Sequence, residues 1–219
     1  MVTKRKSSGF RDAAANREKI RRAALDVFST YGFEACSTRQ IAAAAGMEMG
    51  HLTYYYPSKE ALWRELLLEM QGQFERAVDD ALLGAAKKRS ARARAAAVLP
   101  RLIRFIASQP KLARLIQQEF SVESPRRLWV VDNCARPIWS RMAPLFEALK
   151  EEGVLGDVEP ATAYFSLITA TVSLFASADE IRLLSGHDVR DPAQIDSALD
   201  FLLRGLLGKS RRKSGIAAG

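Results

Sequence analysis

The run from Ser37 to Lys59 reads Ser-Thr-Arg-Gln-Ile-Ala-Ala-Ala-Ala-Gly-Met-Glu-Met-Gly-His-Leu-Thr-Tyr-Tyr-Tyr-Pro-Ser-Lys and leaves the backbone little choice. Ser37 followed three residues later by Gln40 is a capping box, in which the serine oxygen accepts from the Gln40 amide and the glutamine reaches back to the Ser37 amide. Ile41, Ala42 and Ala45 form a narrow apolar stripe whose small side chains let another helix cross closely. Gly46 stands where a left-handed residue ends such a helix. A second short helix over about Glu48 to Tyr55 has Leu52 as its inward anchor; Pro57 cannot continue it, and Ser58 caps the next helix. Two short helices joined by a tight glycine turn are the layout of a helix-turn-helix, whose second helix enters the DNA major groove.

The charge distribution bears on the same partner. The 219 residues carry a net charge of +8, but Lys4, Arg5, Lys6, Lys209, Arg211, Arg212 and Lys213 lie at the two ends, and the remaining bases nearly balance the 25 acids. A basic arm ahead of a DNA-binding fold reaches phosphates or the minor groove, whereas without that fold basic ends read equally well as solvated tails. Cys36 and Cys134 are too few and too far apart for a disulfide framework or a metal quartet, and a reduced cytoplasm suits them. No signal peptide is expected, since no apolar run comes after the basic start. The apolar-leaning stretch 161–178 is interrupted by Thr162, Ser166, Thr169, Thr171, Ser173 and Ser177, so it reads as a buried helix and not a membrane span.

Taken in order, the chain reads as all-α. Residues 1 to about 11 read as disordered. A helix then starts at Asp12 or Asn16 and runs to Tyr31, with Ile20, Ala23, Ala24, Val27, Phe28 and Tyr31 on one face. Gly32 ends it and Phe33 tucks back. Ser58 opens a longer helix with Leu62, Leu66, Met70, Phe74, Ala77, Ala81 and Leu82 inward, and no linker separates it from the head. Residues 84–96 are a loop or a solvated helix start. Helices are expected over 98–108, over 110–120 with Pro110 in its first turn, over 126–152 with kinks at Pro137 and Pro144, over 160–185, and from Asp191-Pro192 onward. The expected organisation is a flexible basic arm (1–15), a helix-turn-helix DNA-binding domain (16–76), a larger helical domain (77–208) and a disordered basic tail (209–219).

From Arg17 to Leu68 the sequence strongly resembles the TetR family of bacterial transcriptional repressors. The resemblance rests on Ile20-x-x-Ala23-Ala24-Leu25-x-x-Phe28, Tyr31-Gly32-Phe33, Ser37-Thr38-x-x-Ile41-Ala42-x-x-Ala45-Gly46, Gly50-x-Leu52 and Tyr55-Tyr56-Pro57-Ser58-Lys59-Glu60-Ala61-Leu62. Beyond Leu68 the likeness is one of layout. The resemblance implies a cytoplasmic homodimer with two DNA-binding heads, a small-molecule pocket in the C-terminal helices and release of a palindromic operator when that pocket fills. It also implies that Thr38 and Arg39 touch phosphate or the groove edge, that Met47, Glu48, Met49, Gly50, His51, Thr53 and Tyr54 form the turn and recognition helix, and that Tyr54, Tyr55 and Lys59 hold the DNA backbone. The last two helices are implied to form a four-helix dimer interface, here through Leu174, Ile195, Leu199, Leu202, Leu203 and Leu206. A dimer places its recognition helices about 34–36 Å apart or at a small multiple of that.

The reading face departs from the family's usual Ser-Lys-Gly-Thr-Leu-Tyr. Here Glu48-Met49-Gly50-His51-Leu52-Thr53 stands, with an acid for a small cap and a thioether for a frequent base. Both reduce attraction to phosphate. Glu48 can instead accept from a cytosine amino group, and His51 can donate to a base edge or a phosphate. Phe74, Phe105, Phe120, Trp129, Trp139, Phe165 and Thr169 are the candidates for an effector cavity, against the plainer reading of ordinary core. No phosphate-cradling glycine loop, nucleophile elbow or paired catalytic carboxylates are present, so neither an enzyme nor a cofactor is expected. The two histidines are too far apart to suggest a metal, and Cys36 reads as a structural thiol more readily than as a redox sensor. Two other readings share the head: a DNA binder without an effector, and a protein-interaction module whose binding is insensitive to salt.

Overall fold

The computed structural model describes residues 5–208, with side chains from Ala13 onward. The basic tail 209–219 and Lys4 lie outside the described residues. Eleven α-helices and one π-helical turn make up the described chain, with no strand among them: α1 Arg5–Ala35, α2 Thr38–Ala44, α3 Met49–Tyr55, α4 Lys59–Ala85, α5 Ala91–Ala107, α6 Pro110–Phe120, α7 Pro125–Val130, the π turn Val131–Ala135, α8 Arg136–Glu151, α9 Pro160–Ala176, α10 Ala178–Ser185 and α11 Pro192–Leu207. The all-α reading is correct.

Several boundaries differ from those read in the sequence. α1 begins at Arg5, not at Asp12 or Asn16, so residues 5–11 are helical. Lys, Arg and the run Ala13-Ala14-Ala15 are good helix formers, and the polar residues read as caps lie within the continuing helix. The expected break between residues 84 and 96 is short, with α5 opening at Ala91. Ser90 Oγ accepts from the Ala93 amide there, and the Glu152 carboxylate accepts from the Ala91 and Arg92 amides at 2.5 and 3.1 Å. The stretch 126–152 divides at the π turn. Pro137 then sits in the first turn of α8, where its missing N–H costs nothing, while Pro144 is carried inside that helix. The stretch 160–185 breaks at Ser177 into α9 and α10, which are bent by 64°. No single helix among the described residues is long and apolar enough to cross a membrane.

The chain folds as two compact units whose boundaries differ from the expected division at residue 76. The first takes the chain to Gln73 together with Lys111–Cys134, and the second takes Phe74–Pro110 with the chain from Ala135 onward. In the first unit Ile20, Ala24, Phe28, Ile41, Leu52, Leu62, Trp63 and Leu67 form the core with Leu115, Val130 and Cys134. α6 and α7 thus close the core that α1–α4 begin. Each large apolar side chain buried there contributes roughly 1.5–3 kcal/mol. In the second unit α5, α8, α9 and α11 pack on one another around Leu99, Leu102, Ile103, Phe146, Leu149 and Phe175.

Gly32 interrupts α1 before its last turn. Its φ of 75° and ψ of 167° lie in a region open essentially to glycine alone, and the chain turns there so that Phe33 stacks on Phe28 at 5.8 Å between ring centroids. Gly32→Ala is expected to lower stability by about 1–3 kcal/mol in urea unfolding. An unchanged midpoint would show that the turn tolerates a side chain.

Candidate nucleic-acid interface

The face built by α2 and α3 is held in place from behind. The capping box is present: Ser37 Oγ accepts from the Gln40 amide at 3.2 Å, and Gln40 Oε1 accepts from the Ser37 amide at 2.7 Å. Ile41, Ala42 and Ala45 are buried, α1 packs across α2, and Gly46 turns the chain at φ 59°. Leu52 anchors α3 inward and Ser58 Oγ accepts from the Ala61 amide to open α4. Tyr56 is buried and donates its phenol hydrogen to Glu65 Oε1 at 2.9 Å. Burial and that carboxylate push its pKa up to about 12.

With the frame fixed, the outward residues are left open. Arg39, Glu48, His51 and Tyr54 are exposed and have no polar partner among the described residues. Tyr54 is 82% exposed, with its ring edge-on to Tyr55 at 5.2 Å. Met49 and Gly50 are exposed as well, and the Thr53 hydroxyl donates to the Met49 carbonyl at 2.9 Å. Thr38 is half-buried, and Met47 and Tyr55 are half-buried against the core. The Tyr55 hydroxyl accepts from Asn16 Nδ2 at 3.2 Å, and the Arg17 guanidinium lies 5.7 Å from its ring centroid. Lys19 is an addition from the structure. It is exposed on α1, and its Nζ lies 3.6 Å from where a Cβ on Gly46 would stand, which puts a cation beside the turn. No local motif links the two, because the proximity arises from helix crossing.

Lys59 departs most from its expected role. Its ammonium donates to the Phe33 and Cys36 carbonyls at 2.7 and 2.9 Å and lies 4.3 Å from the Phe33 ring centroid. Two of its three donors are therefore engaged in tying the end of α1 and the start of α2 to α4. It also lies beside the buried Cys36 thiol, yet burial raises that thiol's pKa and the lysine only partly opposes the rise. This fits a structural cysteine.

The seven effector candidates are divided between the two units. Phe120 and Trp129 belong to the first unit, where they pack against the head core, and Trp129 meets Trp63 at 5.2 Å. Phe165 is 53% exposed on α9, and Thr169 is exposed beside it, so neither lines an interior cavity. Only Phe74, Phe105 and Trp139 remain as inward rings of the second unit. Phe74 faces Phe105 at 5.2 Å, and Trp139 clusters with Phe146 and Tyr164. Among the dimer candidates, Leu199 is 4% exposed within its own chain and is closed to a partner. Leu174, Ile195, Leu202, Leu203 and Leu206 are half-buried, and the outward residue of α11 is Phe201, at 78% exposure. A helical stripe identifies a buried side but does not say which chain buries it. No three His, Cys, Asp or Glu side chains among the described residues gather as a metal site requires.

A family model described as bacterial regulatory proteins, tetR family, matches residues 20–66, the span that contains α2, α3 and their supports. The HTH-type transcriptional regulator RutR of Escherichia coli K12 is 25% identical over 205 residues, covering 91% of this chain and 93% of RutR. Residues 20–66 are a DNA-binding head of the TetR type. Solved structures of TetR-like regulators share its fold. FadR of Bacillus subtilis superposes with a TM-score of 0.62 at 22% identity, covering 86% of this chain and 98% of FadR. A tetR-family regulatory protein from Rhodococcus RHA1 superposes with a TM-score of 0.61 at 22% identity, covering 89% and 98% of the two chains. With this TetR-type head the protein is a helix-turn-helix transcriptional regulator, and the head binds DNA.

The Lys59 geometry makes a prediction about the regulator without DNA. Lys59→Met is expected to lower its stability by about 1.5–3 kcal/mol, the scale of hydrogen bonds from a charged donor, in thermal or urea unfolding. A variant as stable as the parent would show that Lys59 does not hold the turn.

Proposed function

We propose that this regulator is a bacterial cytoplasmic homodimer that represses transcription from a palindromic operator and is released when a small molecule binds its second unit. The observation that carries the reading is the bare face of α2 and α3 on a rigid frame. Arg39, Glu48, Met49, Gly50, His51, Thr53 and Tyr54 face the groove; Thr38 and Arg39 take the groove edge and phosphate. Met47 and Tyr55 support that face from half-buried positions. Lys59 has one donor left for the backbone and acts mainly through the turn it fixes, so phosphate attraction falls to Arg39, Lys19 and the basic arm.

Dimerisation is supported by the outward apolar surface of α9 and α11, where Phe165 and Phe201 stand exposed. A cleft of about 390 Å³ lies on the same helices, lined in part by Ala163, Ser166, Ala170, Leu202, Gly205 and Leu206. It shares Leu202 and Leu206 with the expected dimer set, so it belongs to this face. The FadR structure from Bacillus subtilis is a complex with stearoyl-CoA, which supports a small-molecule ligand here; the Phe74–Phe105 and Trp139–Tyr164 rings of the second unit are the candidates for its site. Coupling of roughly 1–3 kcal/mol per ligand is the usual scale for such release.

Footprinting on DNA flanking the gene is expected to show a protected palindrome, with affinity falling steeply as salt rises because phosphate contacts release counterions. Protection of no site, or binding indifferent to salt, would remove the repressor reading. Phe201→Asp is expected to shift sedimentation from dimer to monomer and to lose operator affinity while keeping the fold. A dimer that persists would place the interface elsewhere.

A further inference from the structure

We infer that Glu48 is a specificity-determining residue that selects a cytosine in each operator half-site. This rests on the DNA-binding reading above and adds to it the class of base pair recognised. Glu48 stands immediately before α3 with extended backbone angles, φ −72° and ψ 150°, yet its side chain accepts no capping hydrogen bond. The residue is exposed, and its side chain has no ion-pair or hydrogen-bond partner among the described residues. The carboxylate is therefore uncommitted on a face otherwise open to the groove.

The rest of that face sharpens the role. α3 carries no Arg, Lys, Asn or Gln from Met49 to Tyr55, so it has none of the usual bidentate readers of guanine or adenine. The Thr53 hydroxyl hydrogen is committed to the Met49 carbonyl. Beside Glu48 the surface is the exposed Met49 thioether and the open Gly50, where an added Cβ would meet nothing within 4 Å.

An ionised carboxylate only accepts hydrogen bonds. In the major groove guanine presents N7 and O6, both acceptors, and thymine presents the O4 acceptor with a methyl group. Adenine offers its N6 donor beside the N7 acceptor. Cytosine alone offers a donor, its N4 amino group, with no acceptor next to it on that edge. Glu48 thus meets one base whose edge only donates, one whose donor stands beside a repelling acceptor, and two that offer it no donor at all. Because the phosphates also repel it, the residue works chiefly by rejecting wrong sequences, which is how specificity is obtained when a site is built against alternatives.

The test uses the full-length protein and a random duplex DNA library, followed by anisotropy at fixed salt on all single-base variants of the enriched site, for the parent, Glu48→Gln and Glu48→Ala. Thermal unfolding of the variants checks that the fold is retained, as expected for an exposed side chain without partners. The parent is expected to require cytosine at one position of each half-site, with other bases there weakening binding roughly tenfold or more. Glu48→Gln should move the preference at that position to adenine, which an amide reads through N6 and N7, and Glu48→Ala should level the four bases. An enriched site whose base preferences survive both substitutions overturns the inference and leaves the DNA-binding reading standing. A library that yields no enriched site overturns both.

Discussion

The first unit depends on how one ammonium group is held. Lys59 donates to the carbonyls of Phe33 and Cys36 and lies against the Phe33 ring, so one side chain at the start of α4 fixes the turn that carries the chain from α1 into α2. Those carbonyls belong to the few residues between Gly32 and Ser37, where no helical partner is available and an unsatisfied acceptor would be costly. The capping box takes over at Ser37. Every outward group of α2 and α3 inherits its position from this junction.

The same ring receives a second cation. The Arg126 guanidinium lies 4.1 Å from the Phe33 centroid, donates to Glu34 at 2.7 Å and to Glu119 at 3.3 Å, and is itself mostly buried. Burial raises the Glu119 carboxyl above its usual range, and Arg126 opposes that rise. Gln118 adds a donor to the Ser29 carbonyl at 3.1 Å, and Lys111 pairs with Asp26. α6 and α7 are thereby locked to the end of α1 by polar contacts as well as by Leu115 and Val130 in the core. The exposed pairs among these contribute little individually. The buried arginine on the ring, with its two carboxylates, sets the geometry.

Against this frame the reading face is chemically sparse. Its open groups are one guanidinium, one carboxylate, one imidazole and one phenol, with a thioether and a glycine between them. A surface with so few bases cannot draw its affinity from α3 alone, and Lys59 has little ammonium left to offer. In the proposed reading affinity is therefore divided from specificity, with phosphates assigned to cations on α1 and α2 and at the basic ends, and discrimination to the face around α3.

Local chemistry was legible because it needs only neighbours along the chain. The Ser37–Gln40 box, the left-handed Gly46, the Pro57 stop, the Ser58 cap and the inward Leu52 all arise from short-range sterics and hydrogen bonds, and together they identify the helix-turn-helix and its exposed residues. Partnership between distant segments was not legible. The sequence named Phe120 and Trp129 as effector candidates and Leu199 as a dimer residue without showing which segments bury them, missed the fully buried Trp63, and offered as effector candidates Phe165 and Thr169, which stand exposed on α9. The assignment of Lys111–Cys134 to the head, and of Lys59 to a backbone turn instead of free solvent, came from packing alone. An apolar stripe or a lysine is compatible with many neighbours, and only the folded chain chooses among them.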